Sequence, residues 1–220
     1  MRYQGYKHIS RAIAPAVDRL FRAGLATLVA VTIATPQVLA EDDVSGKYPD
    51  LRQRAAEATQ TYQKKLKSAL ISAIRDGGPQ KAIAVCHDKA PRIADSVGTE
   101  YGLEIGRTAR KTRNKSNAPN KWERAVIQSF EHANSSKKDT EKLEASKLEG
   151  ENYRYMKAIK MKGVCATCHG KQVNPGLKDR IEQYYPHDSA TGFEIGDIRG
   201  AFTVTVPLDD QSQNKEETQK

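Results

Sequence analysis

GAFTVTVPL, residues 200–208, alternates strictly: Phe202, Val204 and Val206 fall on one side, Thr203 and Thr205 on the other. Apolar and β-branched residues at a two-residue period are what a half-buried strand requires, because successive side chains point to opposite faces of a sheet. The ordered part of the chain therefore closes on a strand, and the residues upstream must supply its neighbours. YRYMKAIKM, residues 153–161, has the same character, with Tyr153, Tyr155, Lys157 and Ile159 on one face. Leu103, Ile105 and Thr108 read as a shorter strand between Gly102 and a polar loop. Helical patterns come first and strands mixed with helices follow, with no βαβ rhythm and no internal repeat. The fold class is α+β with an antiparallel sheet.

The helices can be placed from their apolar spacing. Leu51, Ala55, Ala58, Tyr62, Leu66, Ala69 and Leu70 recur at three- and four-residue steps until Gly77-Gly78 stops them. Pro79 suits the first turn of a second helix reaching about Val97, which Pro91 kinks or divides. Cys86 then lies on the apolar side of that helix, beside Ala82 and Ala90. Asn120 with Glu123 three residues on is a capping-box signature for a helix from Lys121 to about His132. Pro175 to Tyr184 suggests another short helix. Residues 134–151 are poor in apolar side chains and read as a surface helix or a mobile excursion.

Both ends of the chain read differently. Residues 1–40 combine a basic leader (Arg2, Lys7, Arg11, Arg19, Arg22), an apolar run from Ala23 to Ala34, and a small-residue cleavage pattern at Val38-Leu39-Ala40. That is a secretory signal peptide cut after Ala40; the alternative, an uncleaved anchor, is disfavoured by a run too short to span a bilayer and broken at Pro36-Gln37. The domain occupies residues 41–208, and residues 209–220 read as a disordered polar tail. The formal charge is +9 from 36 basic and 27 acidic residues. The leader takes five of the basic and one of the acidic, which leaves +5, interleaved with acidic side chains from Lys137 to Arg154. No nucleic-acid recognition motif accompanies this excess, so it is read as a solvated basic surface suited to acidic partners. The expected location is the periplasm or the exterior.

Three cysteines in an exported chain cannot all pair with one another. Two of them lie in GVCATCHGKQ, residues 163–172, followed at once by a histidine. C-x-x-C-H is the attachment signature of a c-type haem. Each thiol adds to one haem vinyl group, two intervening residues span the gap between the vinyls, and the next side chain lies under the iron. Cys165 and Cys168 would carry the thioethers and His169 the proximal nitrogen. Other readings of the same residues are a disulfide or C-x-x-C redox pair, which would want a βαβ context, and a zinc site built from Cys86, Cys165, Cys168 and His169. For the sixth position the candidates are Cys86, His87, His132, His187, Met156 and Met161. The methionines fit packing roles on a strand, and His132 and His187 fit exposed ends and loops. A lone thiol in an oxidising compartment needs burial or a bond, so Cys86 is either a buried thiol or an axial ligand.

AIAVCHDKAPRIADSVG (82–98), GLEIGRTARKTRNKSNAPNKWE (102–123), YRYMKAI (153–159), VCATCHG (164–170) and TGFEIGDIRGAFTVTVPL (191–208) occur in an order that resembles the family of exported single-haem c-type proteins with a PAS-like fold, best known from a cyanobacterial member. The resemblance covers about Asp50 to Leu208. It implies N-terminal helices packed on a five-stranded antiparallel sheet and one covalent haem c, with His169 on one side of the iron and the Cys86 thiolate on the other. The loop rich in Arg and Asn then gains a candidate role. A guanidinium meets a carboxylate with two parallel hydrogen bonds, so Arg113 first, with Arg107, Asn114 and Asn117, are placed at the haem propionates.

A thiolate stabilises ferric over ferrous iron, so a His/Cys pair lowers the reduction potential relative to His/Met. The function expected is low-potential electron transfer or redox and gas sensing, with a diatomic molecule as a conceivable ligand. The chain contains no kinase, cyclase or DNA-binding segment, so the signal or electron leaves through a partner protein. An enzyme is not expected. The competing classes are a thiol-disulfide oxidoreductase using Cys165 and Cys168, and a haem peroxidase-like enzyme with an open sixth position.

Overall fold

The computed structural model describes Val44 and residues 46–136 and 143–208. The leader, its cleavage point after Ala40 and the tail from residue 209 lie outside the described residues. Among those described, no helix is long and apolar enough to cross a membrane.

Four strands form one antiparallel sheet: β1 (Glu104–Thr108), β2 (Glu144–Glu149), β3 (Asn152–Lys160) and β4 (Ile198–Pro207), in the order β1-β4-β3-β2. The stretch GAFTVTVPL is therefore a central strand, with Val204 opposite Ile105 on one side and Tyr155 on the other. The resemblance implied five strands; the described residues contain four. Residues 190–197, between the last helix and β4, belong to none of the four strands and form only an isolated bridge, between Phe193 and Gly170. Gly192 and Gly196 adopt left-handed backbone (φ 82° and 96°), which bends this segment out of any ladder.

Of the polar stretch 134–151, expected to be a surface helix or an excursion, residues 137–142 lie outside the described residues, and Glu144–Glu149 is instead the edge strand β2. Gly150 (φ 59°) turns it directly into β3, with Glu149 opposite Asn152. Charge stands here in place of apolar alternation, as edge strands commonly require. Glu144 accepts from Lys157 at 2.9 Å, and Glu149 from Arg154 at 2.8 Å.

Helices cover both faces of the sheet. α1 (Pro49–Ala84) buries Leu51, Ala55, Ala58 and Tyr62 against Tyr153, Tyr155, Phe202, Val204 and Val206. The fully buried Ala55 and Ala58 let its backbone approach the strands closely. Its regular geometry breaks at Gly77-Gly78 (φ −172° and 73°), just before Pro79. A π-helical turn, Val85–Lys89, then leads into α2 (Ala90–Tyr101), which ends at left-handed Gly102. The expected disturbance at Pro91 thus falls just before it. Proline has no N–H to offer the carbonyl four residues back, and the Ala90 N–H reaches five residues back to the Val85 carbonyl.

α3 (Lys121–Ser135) lies on the opposite face, where Val126, Ile127 and Phe130 pack on Met156, Ile198 and Ala201. Its capping box is formed as expected: the Glu123 N–H donates to Asn120 Oδ1 at 2.9 Å, and the Asn120 N–H to Glu123 Oε2 at 3.0 Å. Glu123 Oε1 also accepts from the Thr203 hydroxyl at 2.7 Å, so the cap is joined to β4. Asn120→Ala should cost about 1 kcal/mol. Thermal unfolding that leaves the midpoint within 1 °C (about) of wild type would contradict this role for the cap.

Candidate functional site

Cys165, Cys168 and His169 stand on one short helix, α4 (Gly163–His169). Its last carbonyls are each satisfied by the chain that wraps around it, which fixes where these side chains point. Arg113 Nη2 donates to the Cys168 carbonyl at 2.6 Å, the Phe193 N–H to the His169 carbonyl at 3.0 Å, and the Gly192 N–H to the Gly170 carbonyl at 3.0 Å. Gly170 has to be glycine here, since a Cβ would sit 2.5 Å from the Ala166 carbonyl oxygen.

His169 is held by its ring. Nδ1 lies 2.7 Å from the Ala190 carbonyl oxygen, which can only accept, so Nδ1 carries the proton and Nε2 presents its lone pair. Arg199 Nε also lies 3.3 Å from Nδ1; two donors cannot share a hydrogen bond, so the shorter contact sets the tautomer. Burial holds the imidazole pKa well below 6.5, and the guanidiniums of Arg199, Arg113 and Arg107 push the same way. The ring is neutral, and Nε2 is free to coordinate a metal.

Cys86 comes from the π-helical turn. One turn earlier on the same face, Ile83 packs with Leu177, Ile181 and Tyr185, and Cys168 rests against this cluster. Leu177 and Ile181 belong to α5 (Pro175–Tyr184), formed over the residues expected. Burial pushes the Cys168 thiol up; Arg113 draws it down, while Cys86 and Cys165 are near enough to push it up again. Burial likewise raises Tyr185 to about 12, with Cys86 next among the causes. Cys86 and Cys165 are thus near enough to act on Cys168, the residue before His169, and all three are free thiols. Among the described residues, no three His, Cys, Asp or Glu side chains meet closely enough to hold a bare metal ion, so the zinc set weighed from the sequence is not assembled.

The remaining sixth-position candidates are placed elsewhere. Met156 is fully buried under α3, and Met161 is 2% exposed. His132 and His187 are exposed. His87 is also exposed; its Nδ1 meets Asp88 at 2.6 Å and its ring stands edge-on to Tyr184 and Tyr185. The thiol-redox reading fares poorly on context. The βαβ unit it would want is not formed around the motif: the sheet is antiparallel, and α4 lies between β3 and α5.

The residues of the Arg/Asn loop expected at the propionates make contacts within the protein. Arg113 is engaged with Asp188, Nε at 3.2 Å and Nη2 at 3.1 Å, in addition to the Cys168 carbonyl. Asn114 caps a single 3₁₀ turn, Lys115–Asn117, by accepting from the Ser116 N–H. The Asn117 carbonyl receives the Ala109 N–H and the Thr108 hydroxyl. Arg107 is the one left facing the site: it lies against the Tyr62 hydroxyl and acts on His169 and Tyr185, and no described carboxylate pairs with it. Arg199, Asp188 and Ala190 were not legible as site residues, because nothing in their spacing sets them apart. The one available signal was Arg199's position within TGFEIGDIRGAFTVTVPL.

The fold and site together define a class: an α+β domain, four-stranded among the described residues, with a half-buried, neutral histidine directly after a C-x-x-C pair and guanidiniums acting on it. The family model described as "Tll0287-like: Tll0287" matches residues 37–207, and the chain belongs to this family. Among solved structures it is similar to the crystal structure of the cyanobacterial heme-protein Tll0287. The identity is 24%, the TM-score 0.50, and the match covers 69% of this chain and 93% of that one. Comparison with curated proteins gives no match.

Proposed function

We propose that this protein is an exported c-type haem protein with a PAS-like fold, acting in low-potential electron transfer or in redox or gas sensing. The observation that carries the reading is the state of His169. It directly follows Cys165-Ala-Thr-Cys168, is neutral, and is locked by the Ala190 carbonyl with Nε2 free. A tied Nδ1 is how proteins orient a metal-binding imidazole. The cyanobacterial structure of the same family is a heme-protein, which supports the cofactor class.

The donor set fits haem c. Cys165 and Cys168 would carry the two thioether bonds, His169 would bind the iron, and Cys86 is the thiol from a distant helix that gathers at the same place. Of the four loop residues first considered for the propionates, Arg107 fits best, since its charge is not committed to a carboxylate. The group would supply a one-electron couple, lowered by sulfur ligation. α4 would hold the attachment points, Asp188 and Arg113 fasten the end of that helix, and Ile83, Leu177 and Ile181, against which Cys168 packs, would help to exclude water. The partner is expected to be a protein that exchanges electrons or receives the signal, and the location periplasmic.

The test is a spectrum of exported wild type beside Cys86→Ser, after a denaturing gel stained for haem. Wild type should retain colour through denaturation and show a low-spin thiolate-type optical and EPR signature. Cys86→Ser should keep the covalent stain, lose that signature and shift to a higher potential. Identical axial signatures in the two proteins would remove Cys86 as the ligand. A colourless wild type with both α4 thiols free to alkylate would remove the haem.

A further inference from the structure

Beside Arg199, whose Nε lies 3.3 Å from the His169 Nδ1, a cavity of about 250 Å³ is lined by α3 and the segment leading into β4. Its charged lining is Arg110, Lys111, Arg124 and Arg199 against a single carboxylate, Glu131. Glu131 pairs with Arg110, and Lys111, Arg124 and Arg199 form no ion pair among the described residues, although the Asp188 carboxylate acts on Arg199 from outside the cavity lining. Like charges are costly to gather unless something holds them or something neutralises them.

Two of the three are held in place. Lys111 Nζ and the Arg199 guanidinium each lie 5.2 Å from the centroid of the Phe193 ring, a cation-π arrangement. Lys111 also donates to the Thr191 carbonyl at 3.3 Å, and Arg199 Nη1 to the Lys111 carbonyl at 3.0 Å. The third, Arg124, projects from α3 on the face shared by Ile127 and Glu131, with no described acid beside it. Ile127 and Ile198 give the cavity an apolar floor. Lys111 and Arg199, fixed over an apolar base, make a partly preorganised receptor, because little of their side-chain entropy is left to lose on binding.

We infer that this cavity is a binding site for a small polyvalent oxyanion, a phosphate or a compact di- or tricarboxylate, gripped by Lys111, Arg124 and Arg199. Its volume corresponds to roughly eight liquid waters, which suits such anions and excludes nucleotides or peptides. The inference is independent of the haem reading, since every group that grips the anion belongs to the polypeptide. Arg199 nevertheless spans both places, with Nε at the His169 ring and Nη1 at the cavity wall. An anion bound there sits two contacts from the imidazole.

The experiment is calorimetric titration of the full-length exported protein with inorganic phosphate and, separately, with citrate, at low ionic strength. Saturable binding of one anion per chain is expected, and whichever of the two binds more tightly names the source. Arg124→Gln should weaken it about tenfold, the loss expected of one charge-assisted hydrogen bond. Glu131→Gln removes the only acid and should tighten it several-fold, which distinguishes a site from general attraction to a basic surface. Thermal midpoints of both variants check that the fold is intact. Absence of saturation by either anion at 10 mM (about a hundred times a Kd near 100 μM), an affinity unchanged in Arg124→Gln, or weaker binding by Glu131→Gln would each overturn the inference.

Discussion

Arg113→Ala should destabilise the domain by about 3 kcal/mol, as expected for breaking a buried ion pair on one side. The two side chains are 10% and 8% exposed, so solvent screens the pair only weakly. Removing the guanidinium leaves the Asp188 carboxylate with the Ala190 N–H, at 2.8 Å, as its remaining partner. It also strips the Cys168 carbonyl of its donor at the end of α4, where no helical N–H can replace it. For a domain of this length that loss is a fall of about 10 °C in thermal midpoint. Arg113→Lys keeps the charge but not the planar fork and should recover only part of it. Arg113→Ala combined with Asp188→Asn should be more stable than Arg113→Ala alone, because the stranded charge is gone. A midpoint within 2 °C (about) of wild type for Arg113→Ala would show that the bridge contributes little.

The same geometry recasts how this loop was read. Its density of Arg and Asn pointed to a ligand, and the propionate was the available anion. In the fold, the anion Arg113 meets is Asp188, 75 residues away, and sequence spacing contains nothing that pairs them. Asn114 and Asn117 were conspicuous because short amides favour turns, and a 3₁₀ turn is what they form. The loop is best described as the frame that fastens α4, through Arg113 and through the Ser189 N–H donated to the Thr112 carbonyl at 2.9 Å.

What was legible followed from local rules. Alternation identified β3 and β4, capping chemistry placed the start of α3, and the segment Pro175 to Tyr184 was recognised as the short helix α5. Adjacency alone assembled Cys165, Cys168 and His169. β2 was missed because an edge strand satisfied by cross-strand ion pairs carries charge where a buried strand carries valine. The π-helical turn at Cys86 was read as ordinary helix, since the pattern of apolar residues does not register one extra residue in a turn. That Cys86 meets the other thiols depends on α1, α2 and α5 packing together, which no local period encodes. Arg199 escaped for a related reason: it looks like the polar start of a strand, and only its contact with the His169 ring distinguishes it.

Gly200→Ala should cost about 3 kcal/mol, the upper part of what overpacking a closed site costs. A methyl group here would lie 2.4 Å from the Thr108 carbonyl oxygen and 2.9 Å from the Ala109 Cβ, well inside contact distance. Neither neighbour can easily yield. Thr108 and Ala109 are tied to the Asn117 carbonyl at 3.2 and 3.1 Å, and Thr108 pairs with Ala201 in the sheet. The strain must therefore pass into β4 itself, and the next residue back is Arg199, whose Nε reaches the His169 ring. The substitution should lower the thermal midpoint by about 10 °C and also disturb the electronic environment of His169, seen as a changed imidazole resonance or axial spectrum. Gly46→Ala is the matched control, since nothing lies within 4 Å of the added methyl group, and it should be neutral to within 0.5 kcal/mol (about). If Gly200→Ala unfolds at the wild-type temperature, the close packing of β4 against the end of β1 is not what holds Arg199 in place, and the coupling drawn here between sheet and histidine fails.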